Sequence, residues 1–336
     1  MKIVIPGGTG QIGGALRRAL AARGDDVVVL SRRPEQLEDG VRHVVWDGRT
    51  DGAWAEEIDG ADAVVNLAGR SVSCRYTDAN LRQMMSSRVD STRAVGEAIA
   101  RAARPPRVWL QMSTATIYAD ARSRPDERPH DELTGTFGGA EPDVPLYWEY
   151  SVRIARRWEE AQAQADTPRT RRVALRTAMV MTPDRGGVFD YMSWMARLGL
   201  GGPVDGGRQY VSWVHGEDFV RAVGFLLERD DLDGAFIVAA PGPVPQRDFM
   251  RTLRTAWGRP FGLPATRLMA EVGALALRTD TELLLKSRRV VPRRLLDAGF
   301  TFRYPDWDAA APDLVAAARE DRRSRRVVPA GARQGS

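Results

Sequence analysis

Along the first half of the chain, short continuous apolar runs alternate with longer segments in which apolar residues recur every three or four positions. The runs predict strands buried on both faces, and the longer segments predict amphipathic helices. The predicted strands are Lys2–Pro6, Val27–Leu30, Val41–Trp46, Ala63–Leu67, Val108–Met112 and Arg172–Arg176. The predicted helices are Gln11–Arg23, Asp78–Ser86, Val89–Ala103 and Leu146–Ala165. This alternation predicts an α/β fold built on a doubly wound parallel sheet.

After about Thr182 the pattern changes to glycine-rich stretches with shorter strands and helices. The predicted helices here are Val188–Leu198, Glu217–Glu228 and Gln246–Trp257, and the predicted strands are Gln209–Val214 and Ala235–Ala239. We predict a Rossmann-type domain over residues 1–182 and a small C-terminal α/β substrate-binding cap over residues 183–312, interleaved with the last strands of the sheet. Residues 313–336 are predicted to form a disordered, arginine-rich tail.

The composition is typical of a globular protein in a reducing compartment. Of the 336 residues, 43% are hydrophobic and 28% are charged, and no uncharged apolar run approaches the ~18 residues that a membrane-spanning helix needs. The single cysteine, Cys74, excludes an intramolecular disulfide and a cysteine-based zinc site. The apolar stretch after Lys2 is too short for a secretion signal. We expect a cytoplasmic protein with no membrane association and no metal site.

The basic residues are almost all arginines. Lysine and arginine together number 49, and only Lys2 and Lys286 are lysines. The net charge of +5 comes mostly from six arginines near the end of the chain, and the remainder is close to neutral. These six are Arg319, Arg322, Arg323, Arg325, Arg326 and Arg333. A charge confined to one tail does not predict a nucleic-acid-binding face.

A glycine-rich turn, Gly7-Gly8-Thr9-Gly10-Gln11-Ile12-Gly13, stands directly between the first predicted strand and the first predicted helix. Glycines at such a turn let the backbone approach a pyrophosphate, and the amides at the helix N-terminus bind phosphate. A purely structural turn is the alternative, but the strand–turn–helix context favours a dinucleotide. The predicted cofactor-binding residues of the turn are Gly7, Thr9, Gly10, Gln11, Ile12 and Gly13.

The end of the second predicted strand indicates which dinucleotide is bound. A carboxylate there would bind the 2′-hydroxyl of NAD, but the residues are Ser31, Arg32 and Arg33. A hydroxyl and two guanidiniums suit a 2′-phosphate, so we predict NADP (NADPH) over NAD, although arginine is common throughout this chain. Asp47 is a candidate adenine contact. The residues expected to line the floor beneath the cofactor are Leu67, Ala68 and Gly69.

These motifs, together with several later ones, resemble the extended short-chain dehydrogenase/reductase superfamily. The resemblance is closest to its atypical, sugar-nucleotide-epimerase-like branch, which ends in a small C-terminal domain of unknown function. The other stretches that carry it are Ser113–Tyr118, Arg176–Ala178, Gly199–Pro203, Gly207–His215, Val291–Leu295 and Ala298–Phe300. The resemblance implies a Rossmann-type fold, an NAD(P)-dependent oxidoreductase or epimerase, a cofactor contact at Arg176 and a homodimer formed through helices that flank the sheet.

The usual catalytic pair of the superfamily is absent. That pair is Tyr-x-x-x-Lys on the long helix: the tyrosine exchanges a proton with the substrate, and the lysine lowers the pKa of the tyrosine. No Tyr-x-x-x-Lys occurs in this chain. With Trp158-Glu159 as the marker of helix register, the tyrosine position falls on Ser151 and the lysine position falls on Ala155.

Other side chains are candidates for proton transfer or substrate binding. They are Ser113, Thr114, Tyr147, Tyr150, His215 and Arg88, the last at a position where the superfamily usually has asparagine. The two tyrosines lie about one helical turn apart, near Arg153, and aromatic packing is their alternative explanation. For Ser113 and Thr114, the alternative is hydroxyl capping of a strand end. For His215, an acid–base role beside the nicotinamide competes with a backbone contact at a helix start.

The leading hypothesis is an NADP-dependent oxidoreductase that acts on a small organic carbonyl or enone substrate without the Tyr-x-x-x-Lys pair. Apolar and aromatic residues of the cap favour such a substrate over a sugar nucleotide. One alternative is a non-redox epimerase, dehydratase or cyclase that retains the dinucleotide. Another is a non-catalytic NADP sensor, because the same fold supports both roles.

Overall fold

A seven-stranded, all-parallel sheet forms the centre of the computed structural model, which describes residues 1–33, 40–72, 74–123, 128–141, 144–266, 269 and 282–327. Its strands are β1 (Lys2–Pro6), β2 (Asp26–Ser31), β3 (Arg42–Val45), β4 (Ala63–Asn66), β5 (Val108–Thr114), β6 (Arg171–Thr177) and, much later, β10 (Gly234–Val238). The spatial order is β10-β6-β5-β4-β1-β2-β3, so the strand order reverses between β1 and β4. Ligands of doubly wound sheets bind at the carboxyl ends of the strands at such a point. The predicted fold class is confirmed.

Helices cover both faces of the sheet because alternate residues of each strand point to opposite sides. The helices in the described part of the chain are α1 (Gln11–Ala22), α2 (Asp78–Arg101), α3 (Leu146–Ala163), α4 (Val188–Arg197), α5 (Gly216–Glu228), α6 (Gln246–Ala256), α7 (Glu282–Leu285), α8 (Arg293–Asp297) and α9 (Trp307–Val327). Ile3 of β1 packs in one core cluster with Leu16 of α1 and Phe219 of α5. Val4, the next residue, packs in another cluster with Val95 of α2.

Four short strands pair outside the main sheet: β7 (Met179–Met181) with β9 (Trp213–His215), and β8 (Tyr210–Val211) with β11 (Val244–Pro245). The sequence predicted one strand over Gln209–Val214, and this prediction was wrong. Ser212 interrupts it, because its hydroxyl donates to the Arg288 carbonyl and accepts from the Val290 amide. The two helices predicted between residues 78 and 103 are the single helix α2, since neither glycine nor proline separates them.

A second core cluster lies in the later part of the chain, where α4, α6 and α9 pack together. The ring of Trp307 stacks on Phe249 of α6 with 3.9 Å between ring centroids, and Leu314 and Val315 of α9 are buried beside them. The predicted disorder from residue 313 is therefore wrong as far as Val327. Apolar residues at helical spacing anchor α9 in spite of the arginines that follow them. Residues 328–336 lie outside the described residues.

The later part of the chain also completes the main sheet. β10 pairs in parallel with β6 along its whole length, from Gly234 opposite Val173 to Val238 opposite Thr177. A strand of the predicted cap thus belongs to the central sheet, while the boundaries at residues 182 and 312 stay predictions. Within the described residues, no helix is both long and apolar enough to cross a membrane.

Candidate functional site

The glycine turn between β1 and α1 packs so tightly that side chains are excluded from its inner side. Gly7 has a φ of +79°, and a Cβ added there would lie 2.8 Å from the Cα of Ala68. A Cβ on Gly13 would lie 2.6 Å from the Cα of Gly8. On the outer side, a Cβ on Gly10 would meet only the Gly7 carbonyl, at 3.5 Å. The turn therefore forms an open backbone cradle at the N-terminus of α1, and this cradle fits a pyrophosphate.

The turn after β4 is fixed directly against the glycine turn. Asn66 is fully buried; its amide donates to Gln111 Oε1 at 3.0 Å, and its Oδ1 accepts from the Ala68 amide at 3.0 Å. The Leu67 amide donates to the Pro6 carbonyl at 2.8 Å. Residues 67–69 therefore lie at the reversal point of the strand order, where the sequence predicted the floor of a cofactor site.

Two exposed guanidiniums stand at the carboxyl end of β2, the neighbour of β1. Ser31 Oγ donates to the Arg33 carbonyl at 2.9 Å and lies 2.7 Å from Nε2 of His43. These contacts fix the backbone of the turn and leave the side chains of Arg32 and Arg33 exposed to solvent. The described part of this turn carries no carboxylate, so it has the charge that a 2′-phosphate requires.

Asp47, the predicted adenine contact, instead holds its own loop together. Its Oδ1 accepts hydrogen bonds from the amides of Arg49 and Thr50, and its Oδ2 accepts from Thr50 Oγ1 at 2.6 Å. Because both carboxylate oxygens are already hydrogen-bonded within the loop, the structure does not support the predicted contact with adenine.

Gln11 joins the glycine turn to the segment that follows β7. Its Nε2 donates to Thr182 Oγ1 at 2.7 Å, and a Cβ on Gly187 would lie only 1.8 Å from that nitrogen. Gln11 therefore closes one end of the cradle through its side chain. Of the other predicted residues, Ile12 packs against the main core and Thr9 is partly exposed beside the turn.

Ser113 and Arg176 belong to a buried structural network. Ser113 Oγ donates to Glu159 of α3 at 2.6 Å, and Arg176 binds the same carboxylate through Nε and Nη2 at 2.9 and 2.8 Å. Arg176 Nη1 also donates to the Tyr118 hydroxyl. Burial opposes the charge of Arg176, but the hydrogen bonds and charge of Glu159 raise the pKa of Arg176 above its usual value. The predicted catalytic role of Ser113 and the predicted cofactor contact of Arg176 are therefore not supported.

Thr114 is one of the predicted catalytic hydroxyls, and Ser151 falls at the predicted tyrosine position. Thr114, at the carboxyl end of β5, accepts from the Thr116 amide and donates to Thr116 Oγ1, both at 3.1 Å. Ser151, in the tyrosine position, donates to Oε2 of Glu282 at 2.6 Å. Ala155, in the lysine position, is completely buried in an apolar cluster. The tyrosine position thus holds a hydroxyl bound to a carboxylate, and the lysine position has no polar side chain.

Tyr150 faces α2 rather than the end of β5. Its ring joins a small apolar cluster with Leu81 and Met84 of α2, and the guanidinium of Arg153 lies 4.5 Å from the ring centroid. Packing therefore accounts for its position, and the structure does not support its predicted role as proton donor. The side chain of Tyr147 lies outside the described residues.

Arg88 is an enclosed guanidinium without a carboxylate partner among the described residues. Its Nη1 donates to the Met84 carbonyl at 3.0 Å, and its Cζ lies 4.9 Å from the ring centroid of Trp158. A Cβ on Gly69 would lie 3.3 Å from the side chain of Arg88, so Arg88 borders the predicted floor. Burial lowers the pKa of Arg88 to about 10, which still leaves it charged at neutral pH. This cation lies against Trp158, which is about one turn from Ala155 on α3, and it is available to a ligand anion or hydroxyl.

His215 is a structural residue. Its Nδ1 accepts from the Glu217 amide at 3.1 Å and caps the N-terminus of α5. Its Nε2 lies 3.2 Å from Asp313 of α9, and its ring stacks on Tyr304 with 4.0 Å between centroids. Because the ring is buried and oriented toward α9, the structure does not support the predicted acid–base role. The alternative, a backbone contact at a helix start, agrees with the position of His215.

Sequence reasoning missed a charged cluster that the C-terminal part of the chain brings to the end of β5. Lys286 Nζ donates to the Thr116 carbonyl at 3.0 Å, and Glu282 lies 4.0 Å from Lys286 and 3.5 Å from Arg288. Burial lowers the pKa of Lys286 to about 8. The one available signal was a lysine in an arginine-rich chain, because nothing in the sequence places residues 282–288 against Ser151.

A doubly wound seven-stranded sheet with an open glycine turn at its reversal point defines an α/β protein of the Rossmann class. The chain belongs to the NAD dependent epimerase/dehydratase family, which matches residues 3–239. Residues 269–314 match a domain of unknown function, DUF1731. The predicted resemblance to an epimerase-like branch with a small C-terminal domain is confirmed.

Similar proteins span nearly the whole chain. The bovine epimerase family protein SDR39U1 is 32% identical over 94% of this chain and 100% of its own length. Epimerase family protein YfhF of Bacillus subtilis is 29% identical over 94% of this chain and 98% of its own. The crystal structure of human SDR39U1 (isoform 2) with NADPH has a TM-score of 0.79 at 28% identity, covering 94% of this chain and 99% of that one. A UDP-N-acetylglucosamine 4-epimerase from Bacillus cereus (TM-score 0.68, 15% identity, coverage 95% and 99%) shares the fold alone.

Proposed function

We propose that this chain binds NADPH in the groove beside the glycine turn and is an NADP-dependent oxidoreductase of a small organic carbonyl or enone. The observation that carries the proposal is the open cradle at Gly10 with two exposed arginines at the end of the neighbouring strand. The human relative with NADPH supports the same cofactor. When bound, NADPH supplies a hydride from its nicotinamide ring.

The residues of the groove have separate tasks in this proposal. Backbone amides of the glycine turn hold the pyrophosphate, and Arg32 and Arg33 hold the 2′-phosphate through charge-assisted hydrogen bonds. Ala155, at the lysine position, carries no charge. Arg88 supplies a positive charge instead, next to the floor formed by residues 67–69. The Thr114 hydroxyl turns from Thr116 Oγ1 to donate its one O–H to the oxygen of the substrate.

A second candidate is a protein that retains the dinucleotide without net oxidation, as a non-redox epimerase, dehydratase or cyclase, or as a sensor. The specific observation in its favour is that Ser151 and Ala155 replace the tyrosine and lysine of the usual catalytic pair. The two candidates differ in one measurable property, since only the oxidoreductase consumes NADPH.

Binding of NADPH and NADH, followed by cofactor fluorescence, tests the proposed cofactor. Replacement of Arg32 and Arg33 by alanine should weaken NADPH binding about 10- to 100-fold and leave NADH binding unchanged, because hydrogen bonds to charged groups contribute about 1.5–3 kcal/mol. The matched control replaces Arg101 and Arg104, two exposed arginines before the amino end of β5. Equal losses for both cofactors would contradict NADP selectivity.

Oxidation of NADPH, followed at 340 nm with 9,10-phenanthrenequinone and a panel of ketones and enones, tests the reaction. Turnover with any of these compounds supports the oxidoreductase. Tight NADPH binding without oxidation would contradict it and favour the second candidate.

A further inference from the structure

The charged cluster at the end of β5 occupies the place of the missing catalytic pair. Its members are buried: Glu282, Lys286 and Arg288 from the C-terminal part of the chain, and Ser151 from α3. Ser151 stands in the tyrosine position, and its hydroxyl is bound to Glu282 at 2.6 Å. The C-terminal segment therefore brings its charged side chains to the tyrosine position on α3.

The cluster is also joined to the strand end that carries Thr114. Lys286 donates to the carbonyl of Thr116, and Arg288 Nε lies 3.3 Å from Thr116 Oγ1, which in turn accepts from Thr114. Among the described residues, that carbonyl is the one hydrogen-bond partner of Lys286 Nζ. An ammonium group has three N–H donors, so Lys286 keeps donors beyond the one that the Thr116 carbonyl accepts.

The charges that face Lys286 come from several segments. Glu282 and Arg288 flank it in the C-terminal part of the chain, Asp120 follows the end of β5, and Glu141 precedes α3. Asp120 is already paired with Arg122 at 2.9 Å. Burial lowers the pKa of Lys286 to about 8 and Arg288 adds to the effect, while the three carboxylates oppose it. Lys286 is therefore mostly protonated at neutral pH and releases its proton readily.

We propose that Lys286 is the proton donor of the reaction and that Glu282, anchored by Ser151, is the residue that positions and tunes it. The inference rests on the proposed carbonyl reduction. As the carbonyl carbon gains a hydride, the substrate oxygen gains negative charge. One N–H bond of the Lys286 ammonium breaks, and an O–H bond forms on that oxygen. Lys286 is left as a neutral amine and regains its proton from water.

The small number of lysines makes the first test direct, because Lys286 has only Lys2 as its companion. In protein made with ¹³C-labelled lysine, the K2R variant assigns the two side-chain signals. We expect the Lys286 signal to titrate near pH 8, about 2.5 pH units below that of an ordinary lysine, and to shift when NADP⁺ is added, while the Lys2 signal stays in place. A Lys286 signal that titrates together with that of Lys2 and ignores NADP⁺ would overturn the inference.

The second test measures NADPH oxidation with 9,10-phenanthrenequinone against pH. Because the donor must be protonated, the wild-type kcat should be constant below about pH 8 and fall tenfold per pH unit above it. K286M and K286R should lower kcat about 10²- to 10⁴-fold, the usual contribution of an acid–base group, without changing NADPH affinity. K2M is the matched control and should behave as wild type.

Glu282 needs a separate readout because it acts through Lys286. Its charge raises the pKa of Lys286, so E282Q should move the falling limb of the pH profile about 1 unit lower. A merely structural residue would change kcat without moving that limb. Unchanged NADPH affinity shows that each variant is folded.

The outcomes separate this inference from the proposed function. A wild-type protein that oxidises no NADPH contradicts the oxidoreductase, and the lysine titration then decides whether the site responds to the cofactor. An active K286M variant with the wild-type pH profile contradicts Lys286 as donor and leaves the oxidoreductase intact.

Discussion

The role of a polar side chain in this protein depends on which charged group lies next to it. Ser113 was a candidate catalytic hydroxyl because it ends a strand beside the predicted site, yet it donates to Glu159 inside the network that also holds Arg176. Arg88 has no such carboxylate among the described residues, although both arginines are encoded in the same arginine-rich chain. The sequence gives the residue types, but only the fold shows which of these side chains has a carboxylate beside it.

Two adjacent glycines provide a test at this scale. In G13A, the new Cβ would meet the backbone of Gly8 at 2.6 Å, so we expect a loss of about 1–3 kcal/mol of unfolding free energy and weaker NADPH binding. In G14A, the Cβ would meet only the flexible end of Arg18 at 3.2 Å, and alanine favours helix, so stability should be unchanged or rise by up to about 1 kcal/mol. Urea denaturation of both variants measures the difference, and equal losses would contradict the close packing of the turn.

At the scale of the element, apolar runs were sufficient for the strands of the main sheet, because all of them except the partly exposed edge strand β3 are mostly buried. Apolar runs were insufficient to predict strand bounds where successive strands pair with different partners. At Ser212, contacts with Arg288 and Val290 separate β8 from β9. The glycine turn and the floor after Asn66 could be placed from the sequence, since both are local to strand ends. The Lys286 cluster could not, because it depends on a contact between segments that are 131 residues apart.

The contact between α5 and α9 should respond to pH through His215. Burial lowers the pKa of His215 below 6.5, with Asp313 opposing. Above pH 6.5, the folded and unfolded states are both neutral at this residue. Below it, the unfolded chain gains a proton that the folded protein does not, so stability falls on acidification. Between pH 7 and pH 5, wild type should lose up to about 1.4 kcal/mol per pH unit more than H215N, which keeps a capping side chain. Parallel stability curves for the two proteins would contradict this.

At the scale of the whole molecule, the early and late parts of the chain share one core. The main cluster contains Ile3 and Leu110 from the first part together with Phe219, Phe236 and Leu295 from the second. β10 also covers β6, which would otherwise be an open strand edge. A Rossmann-type sheet is completed here by residues that the sequence pattern assigned to a substrate-binding cap.

A fragment of residues 1–182 should therefore fail to fold on its own, because it lacks β10 and the apolar face of α5. We expect the fragment to aggregate or to show no cooperative thermal transition by circular dichroism, whereas the full chain unfolds in one transition with the same midpoint by fluorescence. A fragment with a sharp transition and measurable NADPH affinity would show that the two parts are independent.

The position of α9 has a consequence for synthesis in the cell. The second core cluster closes only when Trp307, Leu314 and Val315 are in place, and His215 meets Asp313 on that same helix. A ribosome adds about 5–20 residues per second, so roughly 7–30 s separate the emergence of residue 182 from that of Val327. During this interval, the nascent chain exposes the unpaired edge of β6 until β10 is made, and afterwards the uncovered apolar face of α6. Chaperones that bind such surfaces should therefore associate with the nascent protein until α9 has docked.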